Sequence, residues 1–368
     1  MLGLYVHIPF CASKCPYCDF YSLTDITDEG KDRYLQVLLS SLHSWSSKLN
    51  ITADTIYLGG GTPSLLGAHR LAKLITAARN AFSVSDNVEI TMEANPGDDL
   101  KEVFSAFACV GGNRLSLGVQ SVNDEHLKRL GRRHTVSDVD TAVAAAHKAG
   151  INNLSFDLML GTSGQTYTDI VTAVHRFSEW GARHVSAYLL KIEPHTPYAE
   201  TRPVLPDEDS AAALYLDAVR ALKETGYEQY EISNFSVAGF ESRHNLKYWN
   251  SEPYLGIGPA AHSFIDGKRL YYPRSLSAFL DGNEPLPETP ADTVIAENSP
   301  EEFAMLRLRL TKGLTEQAFQ DRFGIPIPKA WRDKFAALPA HLVSVDQTGM
   351  RLTPEGFLVS DAILAHLL

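Results

Sequence analysis

Six short β-type runs, at residues 4–8, 55–58, 88–93, 114–119, 153–158 and 184–189, alternate with stretches of helical periodicity at 34–49, 69–81, 100–108, 137–149 and 168–180. The runs read as strands and the stretches as amphipathic helices, each ending near Gly, Asn or a turn. A chain built this way has few options. Each strand must be covered by the helix that follows it, so the strands lie parallel in one sheet with helices packed outside. Six units are too few to close an eight-stranded barrel. The expected fold is α/β, a partial (β/α)6 barrel, with its chemistry at the carboxyl ends of the strands.

The conspicuous polar and glycine-rich motifs fall at those ends. Cys11, Cys15 and Cys18 follow the first strand, and Gly59-Gly60-Gly61-Thr62-Pro63 follows the second. Glu93-Ala94-Asn95-Pro96 ends the third strand, Gln120 the fourth, and Asp157 lies near the end of the fifth.

Of four cysteines in 368 residues, three fall within eight positions. That count excludes a disulfide framework. Three thiolates at this spacing can bind three corners of a 4Fe-4S cluster from one tight loop. The fourth iron then has no protein ligand and can chelate the amino and carboxylate groups of S-adenosylmethionine. A zinc site with His7 as fourth ligand is the competing reading, but zinc sites usually pair two C-x2-C elements and there is no second pair here. Cys109 stands alone in an apolar stretch and is expected to be a small buried hydrophobe.

The formal net charge of −11 argues against general affinity for nucleic acid, which needs an accumulated basic surface. No run of about 18 apolar residues and no signal peptide is evident, so a cytoplasmic location is the default. The barrel is expected to occupy residues 1–200. A segment rich in Gly, Pro and aromatics, 201–283, is expected to cap it, and 284–300 reads as a Pro-rich linker. Residues 301–368 show helices and a hairpin at 342–352, the pattern of a small winged-helix-like domain. An acidic chain without a basic recognition helix suits that domain to packing or a protein partner rather than DNA.

The C-x3-C-x2-C spacing resembles the signature of the radical SAM superfamily. Within it, the sequence is similar from YVHIPFC through its C-terminal module to the oxygen-independent coproporphyrinogen III oxidases and their relatives. The resemblance implies that Tyr5, Tyr17, Gly60, Gly61, Thr62, Glu93, Gln120, Arg132 and Asp157 bind S-adenosylmethionine. The last four are carried over on the register of EANPG, GVQS, LGRRH and FDLM. The oxidases have a further cysteine two residues after the third, whereas this chain reads Cys18-Asp19-Phe20. His244-Asn245-Leu246-Lys247-Tyr248-Trp249 matches instead the HNxxYW motif of the family's heme-chaperone branch. That match implies heme as cargo held by His244, Tyr248 and Trp249, transfer to respiratory membrane hemoproteins, and a peripheral membrane contact. An imidazole can ligate iron, and adjacent aromatics can cover a porphyrin. His262, in Gly256-Ile257-Gly258-Pro259-Ala260-Ala261-His262, is a second candidate ligand or a structural histidine. A radical SAM oxidase acting on coproporphyrinogen or another tetrapyrrole is the alternative. Whether the chain is a monomer or a dimer is left open.

Overall fold

The computed structural model describes residues 1–287 and 295–368. Six parallel strands run through the first half: β1 (Leu2–Ile8), β2 (Ala53–Gly60), β3 (Val84–Ala94), β4 (Arg114–Gln120), β5 (Leu154–Leu160) and β6 (His184–Leu189), adjacent in that order. The helices Asp28–Lys48, Ala68–Ala81, Lys101–Cys109, Val136–Lys148 and Tyr167–Glu179 make the crossovers. Two of them start at capping boxes, Thr135 with Asp138 and Thr166 with Asp169, which satisfy backbone donors that a helix start leaves unpaired.

Strand alternation divides the side chains. Leu4, Val6, Ile56, Leu58, Ile90, Met92, Leu115, Leu117, Phe156 and Leu158 are buried in the apolar core. The intervening positions, among them Tyr57, Glu93, Ser116, Asp157 and Tyr188, line a polar inner face. The strands are apolar on one side and chemically equipped on the other.

Residues 201–283, expected as a cap, extend the barrel's sheet at both edges. β7 (Glu228–Gln229) and β8 (Asn234–Ser236) continue antiparallel from β6. At the opposite edge β9 (Tyr254–Ile257) pairs in parallel with β1, followed by β10 (His262–Ile265), β11 (Lys268–Tyr271) and β12 (Leu286–Pro287). Among the described residues the sheet reaches twelve strands and stays open. These additions satisfy the edges of β1 and β6, which would otherwise present unpaired N–H and C=O groups.

The stretch expected as a linker is structured where it is described: Leu286–Pro287 pairs with β11, and Pro300 starts a helix, Pro300–Arg307. Its middle, 288–294, lies outside the described residues. β13 (Leu314–Thr315), β14 (Val343–Asp346) and β15 (Gly349–Leu352) form a second small sheet, with the expected hairpin between the last two. Phe303, Phe319, Phe335, Met350 and Phe357 are buried in this part of the chain. It docks on the barrel by backbone pairing, Ile232 N to Arg309 O at 2.9 Å and Thr311 N to Tyr230 O at 3.1 Å. Cys109 corrects its expectation: it is exposed at the last position of its helix, off the face that buries Val103, Phe104 and Phe107.

Candidate functional site

The loop after β1 is closed by backbone hydrogen bonds from Cys11 N to Leu23 O (2.9 Å) and from Leu23 N to Pro9 O (2.7 Å). Between these ties Cys11, Cys15 and Cys18 are half-buried, free of disulfides, and line a cavity of about 150 Å³. Tyr17, Gly60, Gly61, Thr62, Glu93, Gln120, Arg132 and Asp157 line the same cavity. Thus residues from five strand ends converge, as their spacing predicts. Tyr5 does not join them. Its ring lies in a neighbouring groove, and its hydroxyl is 3.0 Å from His7 Nδ1.

The glycines serve close packing. Gly60 has φ +113°, and a Cβ there would lie 2.4 Å from the His7 ring. A Cβ on Gly61 would lie 2.7 Å from the Phe10 carbonyl oxygen. Both let β2 pass directly beneath the start of the cysteine loop. Gln120 ends β4 at φ +67°, in the left-handed region despite its side chain. Such strain at a strand end is characteristic of working sites. Its Oε1 accepts from the Tyr188 hydroxyl at 2.9 Å.

Two carboxylates face the cavity from β3 and β5. Burial pushes Asp157 up to about 7, with the neighbouring Glu93 carboxylate adding to the effect and Arg132 opposing it. Burial also raises Glu93, against the hydrogen bonds it accepts from Tyr57 Oη (2.8 Å) and Gly60 N (3.0 Å). Arg132 is held from several sides. It donates to Gly118 O at 2.7 Å, to Tyr17 Oη at 3.4 Å and to Asn95 Oδ1, and lies 3.5 Å from Cys15 Sγ. Asn95, quoted in its motif but given no role, and Tyr57, Ser116 and Tyr188 are site residues that the motif reading did not assign. Strand alternation would have found the last three, since each shares the inner face with a residue already identified.

This donor set fits the implied cofactors. Three thiols on one loop can take three corners of a 4Fe-4S cluster, and buried carboxylates beside them suit a cationic amino-acid nucleoside. Among the described residues no three His, Cys, Asp or Glu side chains converge on a single-ion site. His7 is also committed elsewhere, Nδ1 to Tyr5 and Nε2 to Tyr21 O at 2.8 Å, and burial lowers its imidazole to about 4. The zinc reading thereby loses its fourth ligand.

A wider cavity of about 690 Å³ continues from the first, sharing Tyr17, Cys18, Phe20, Glu93, Asp157 and Tyr188 and reaching Met159, Lys191 and Asn234. The HNxxYW residues stand apart from both. The helix Arg243–Trp249 packs on the inner face, where Glu89 accepts from the backbone N–H groups of Arg243 and His244. His244 is 1% exposed, with Nδ1 2.8 Å from Thr55 Oγ1 and Nε2 2.8 Å from Tyr248 Oη. Both ring nitrogens are engaged, and burial holds the imidazole down at about 3. Tyr248 lines the groove that also holds Tyr5, while Trp249 is half-buried and borders neither cavity.

Residues 5–177 match the Radical SAM superfamily and residues 296–359 the HemN C-terminal domain. The chain is 33% identical over 374 residues to heme chaperone HemW of Haemophilus influenzae, covering 99% of this chain and 97% of that protein. It is 37% identical over 324 residues to heme chaperone HemW of Escherichia coli, covering 86% of this chain and 85% of that one. In fold it matches the coproporphyrinogen III oxidase HemN of Escherichia coli, a radical SAM enzyme, with a TM-score of 0.82 at 21% identity over 100% of this chain and 89% of the other. The cavity at the strand ends and the full-length similarity together lead to one assignment: the chain belongs to the HemW family of the radical SAM superfamily.

Proposed function

We propose that this protein is a heme chaperone that binds heme and passes it to respiratory hemoproteins at the membrane. The observation that carries the reading is identity of 33–37% to proteins named heme chaperone HemW, in several cases over essentially the whole length of both chains. The cysteine loop agrees with it, since Phe20 stands 69% exposed where the oxidases have another cysteine. Cys11, Cys15 and Cys18 would hold the cluster. When bound, the cluster supplies an electron to the sulfonium of S-adenosylmethionine. Tyr17 would lie beside the adenine, Gly60, Gly61 and Thr62 along the methionine, and Arg132 near its carboxylate. Glu93 and Asp157 would take its ammonium or ribose hydroxyls, and Gln120 the hydroxyls. On this reading residues 1–200 form the cofactor unit, 201–283 carry the heme motif, and 301–368 are an appended winged-helix-like unit. Among the described residues no helix is long and apolar enough to cross a membrane, and the proposed setting is cytoplasmic with a peripheral membrane contact.

The second reading is an oxidase of coproporphyrinogen III, favoured by the 690 Å³ cavity next to the cofactor site. One anaerobic experiment separates them. Reconstituted protein is titrated with heme by absorption, and in parallel incubated with S-adenosylmethionine, reductant and coproporphyrinogen before mass spectrometry. Saturable heme binding without substrate loss is expected. A product lighter by two carboxyl groups would establish the oxidase.

A further inference from the structure

Beside the cysteine loop this acidic chain turns basic. Residues 126–134 carry four cations, Lys128, Arg129, Arg132 and Arg133, and no carboxylate, in a protein of formal net charge −11. Arg132 belongs to the cofactor cavity, whereas Lys128, Arg129 and Arg133 are exposed, as is Lys14 on the loop itself. The neighbouring carboxylates are largely occupied. Asp98 is half-buried and accepts from Ser64 Oγ at 3.3 Å, Asp124 accepts from Val136 N at 2.8 Å, and Asp19 is paired with Arg274 at 3.3 Å. Glu125 lies in the first turn of the helix Asp124–Arg129, at the end away from Lys128 and Arg129.

The basic turn is packed on the loop. Gly131, at φ +67°, comes so close that a Cβ there would lie 2.8 Å from Pro16 Cδ. Tyr198 ties the two together, donating from its backbone to Pro16 O at 2.9 Å and from its hydroxyl to Arg129 O at 2.7 Å. Ser13, Cys15 and Arg133 share a notch of about 20 Å³, room for about one water. Cys15 also lines the cofactor cavity, so this thiol connects the cluster site to the basic surface.

We infer that this surface is the docking face for an acidic one-electron carrier protein, whose carboxylates meet Lys14, Lys128, Arg129 and Arg133 and whose redox centre comes to rest on the Cys15 side of the loop. The inference rests on the cluster reading of Cys11, Cys15 and Cys18. The electron that the cluster gives to the sulfonium must come from a reductant. One electron leaves the carrier, which is oxidised, and enters the cluster, which is reduced; no bond is made or broken and no proton moves. Electron transfer weakens steeply with distance, so the carrier has to dock close to a cluster ligand. Opposite charges speed and orient such an encounter. Interfaces between redox partners are small and weak, which suits a few exposed cations.

The test uses the full chain with its cluster reconstituted anaerobically, and two acidic probes, a flavodoxin and a 2Fe-2S ferredoxin. Their affinities are measured at low and high salt, and bleaching of the cluster is followed after mixing with each reduced probe or with dithionite. Lys128→Glu combined with Arg133→Glu should weaken binding and slow bleaching by the probes about tenfold at low salt, with the difference shrinking at high salt. Iron content, circular dichroism and bleaching by dithionite should match wild type. Lys148→Glu, at the end of a crossover helix and so at the opposite end of the barrel, should behave as wild type. Equal affinity and bleaching rate in the double variant would overturn the docking face, as would an equal loss in Lys148→Glu or binding of neither probe by wild type. Loss of binding to anionic phosphatidylglycerol vesicles in the double variant, with both probes unaffected, would assign the patch to the membrane instead. A wild-type protein without iron or a dithionite-bleached band would overturn the cluster reading itself.

Discussion

Each cysteine of the loop is half-buried and contributes little to the core, while the loop is closed by backbone bonds on either side of the cluster of thiols. Fold and ligation are therefore separable at these residues. In cofactor-free protein, Cys15→Ala and Cys18→Ala should unfold within about 0.5 kcal/mol of wild type. After anaerobic reconstitution neither should retain iron or the brown absorbance. A retained cluster in either variant would remove that cysteine from the ligand set. Gly60 is the opposite case, because its conformation and its contact with His7 leave no room for a side chain. The spacing of the cysteines is written locally, within eight residues, and was legible without any tertiary information. The burial of His244 was not. A seven-residue helix reads the same whether it lies on a surface or inside a barrel, and only its partners Thr55 and Glu89, far away in sequence, decide the matter.

At the scale of elements, that short helix is held in the barrel by charge. Lys247 is buried and its Nζ lies 2.9 Å from Asp54 Oδ1 and 3.2 Å from Glu252 Oε2. Without Lys247 the buried Asp54 keeps only Arg243 Nη2, at 3.6 Å, so its charge is poorly compensated. Lys247→Met should cost about 3–5 kcal/mol in denaturant unfolding, and Asp54→Asn added to it should recover much of the loss. Equal stability of the single and double variants would show that the pair is solvated. The six strands of the first half were readable because alternation and crossover helices repeat over nearly 200 residues. The sheet additions were not, since β7, β8 and β12 are only two or three residues long and carry no periodic signal. β9 pairs in parallel with β1, Gly3 opposite Tyr254, a separation that leaves no local signature.

For the whole molecule, the junction between barrel and C-terminal unit contains a titratable group. Glu231 is 1% exposed and pairs through its backbone with Leu310, and burial pushes its carboxyl up to about 7. An acid whose pKa is raised by folding stabilises the fold when protonated. Stability is therefore fully present below the unfolded value near 4.5 and declines as pH rises to about 7, by on the order of 3 kcal/mol. Glu231→Gln, which mimics the protonated acid, should match wild type near pH 4.5 and melt higher than wild type at pH 8. Parallel melting curves across that range would place the charge outside the linkage. The pairing of β9 with β1 has a consequence in time. A ribosome releases the cysteine loop early, but β1 receives its second neighbour only after Tyr254–Ile257 has emerged, and the helix Arg243–Trp249 enters the barrel only shortly before. Long-range parallel pairing of this kind is slow. The residues that line the loop's cavity have all been made by Tyr188, but the strand that carries the loop keeps an unpaired edge until more than two-thirds of the chain has emerged.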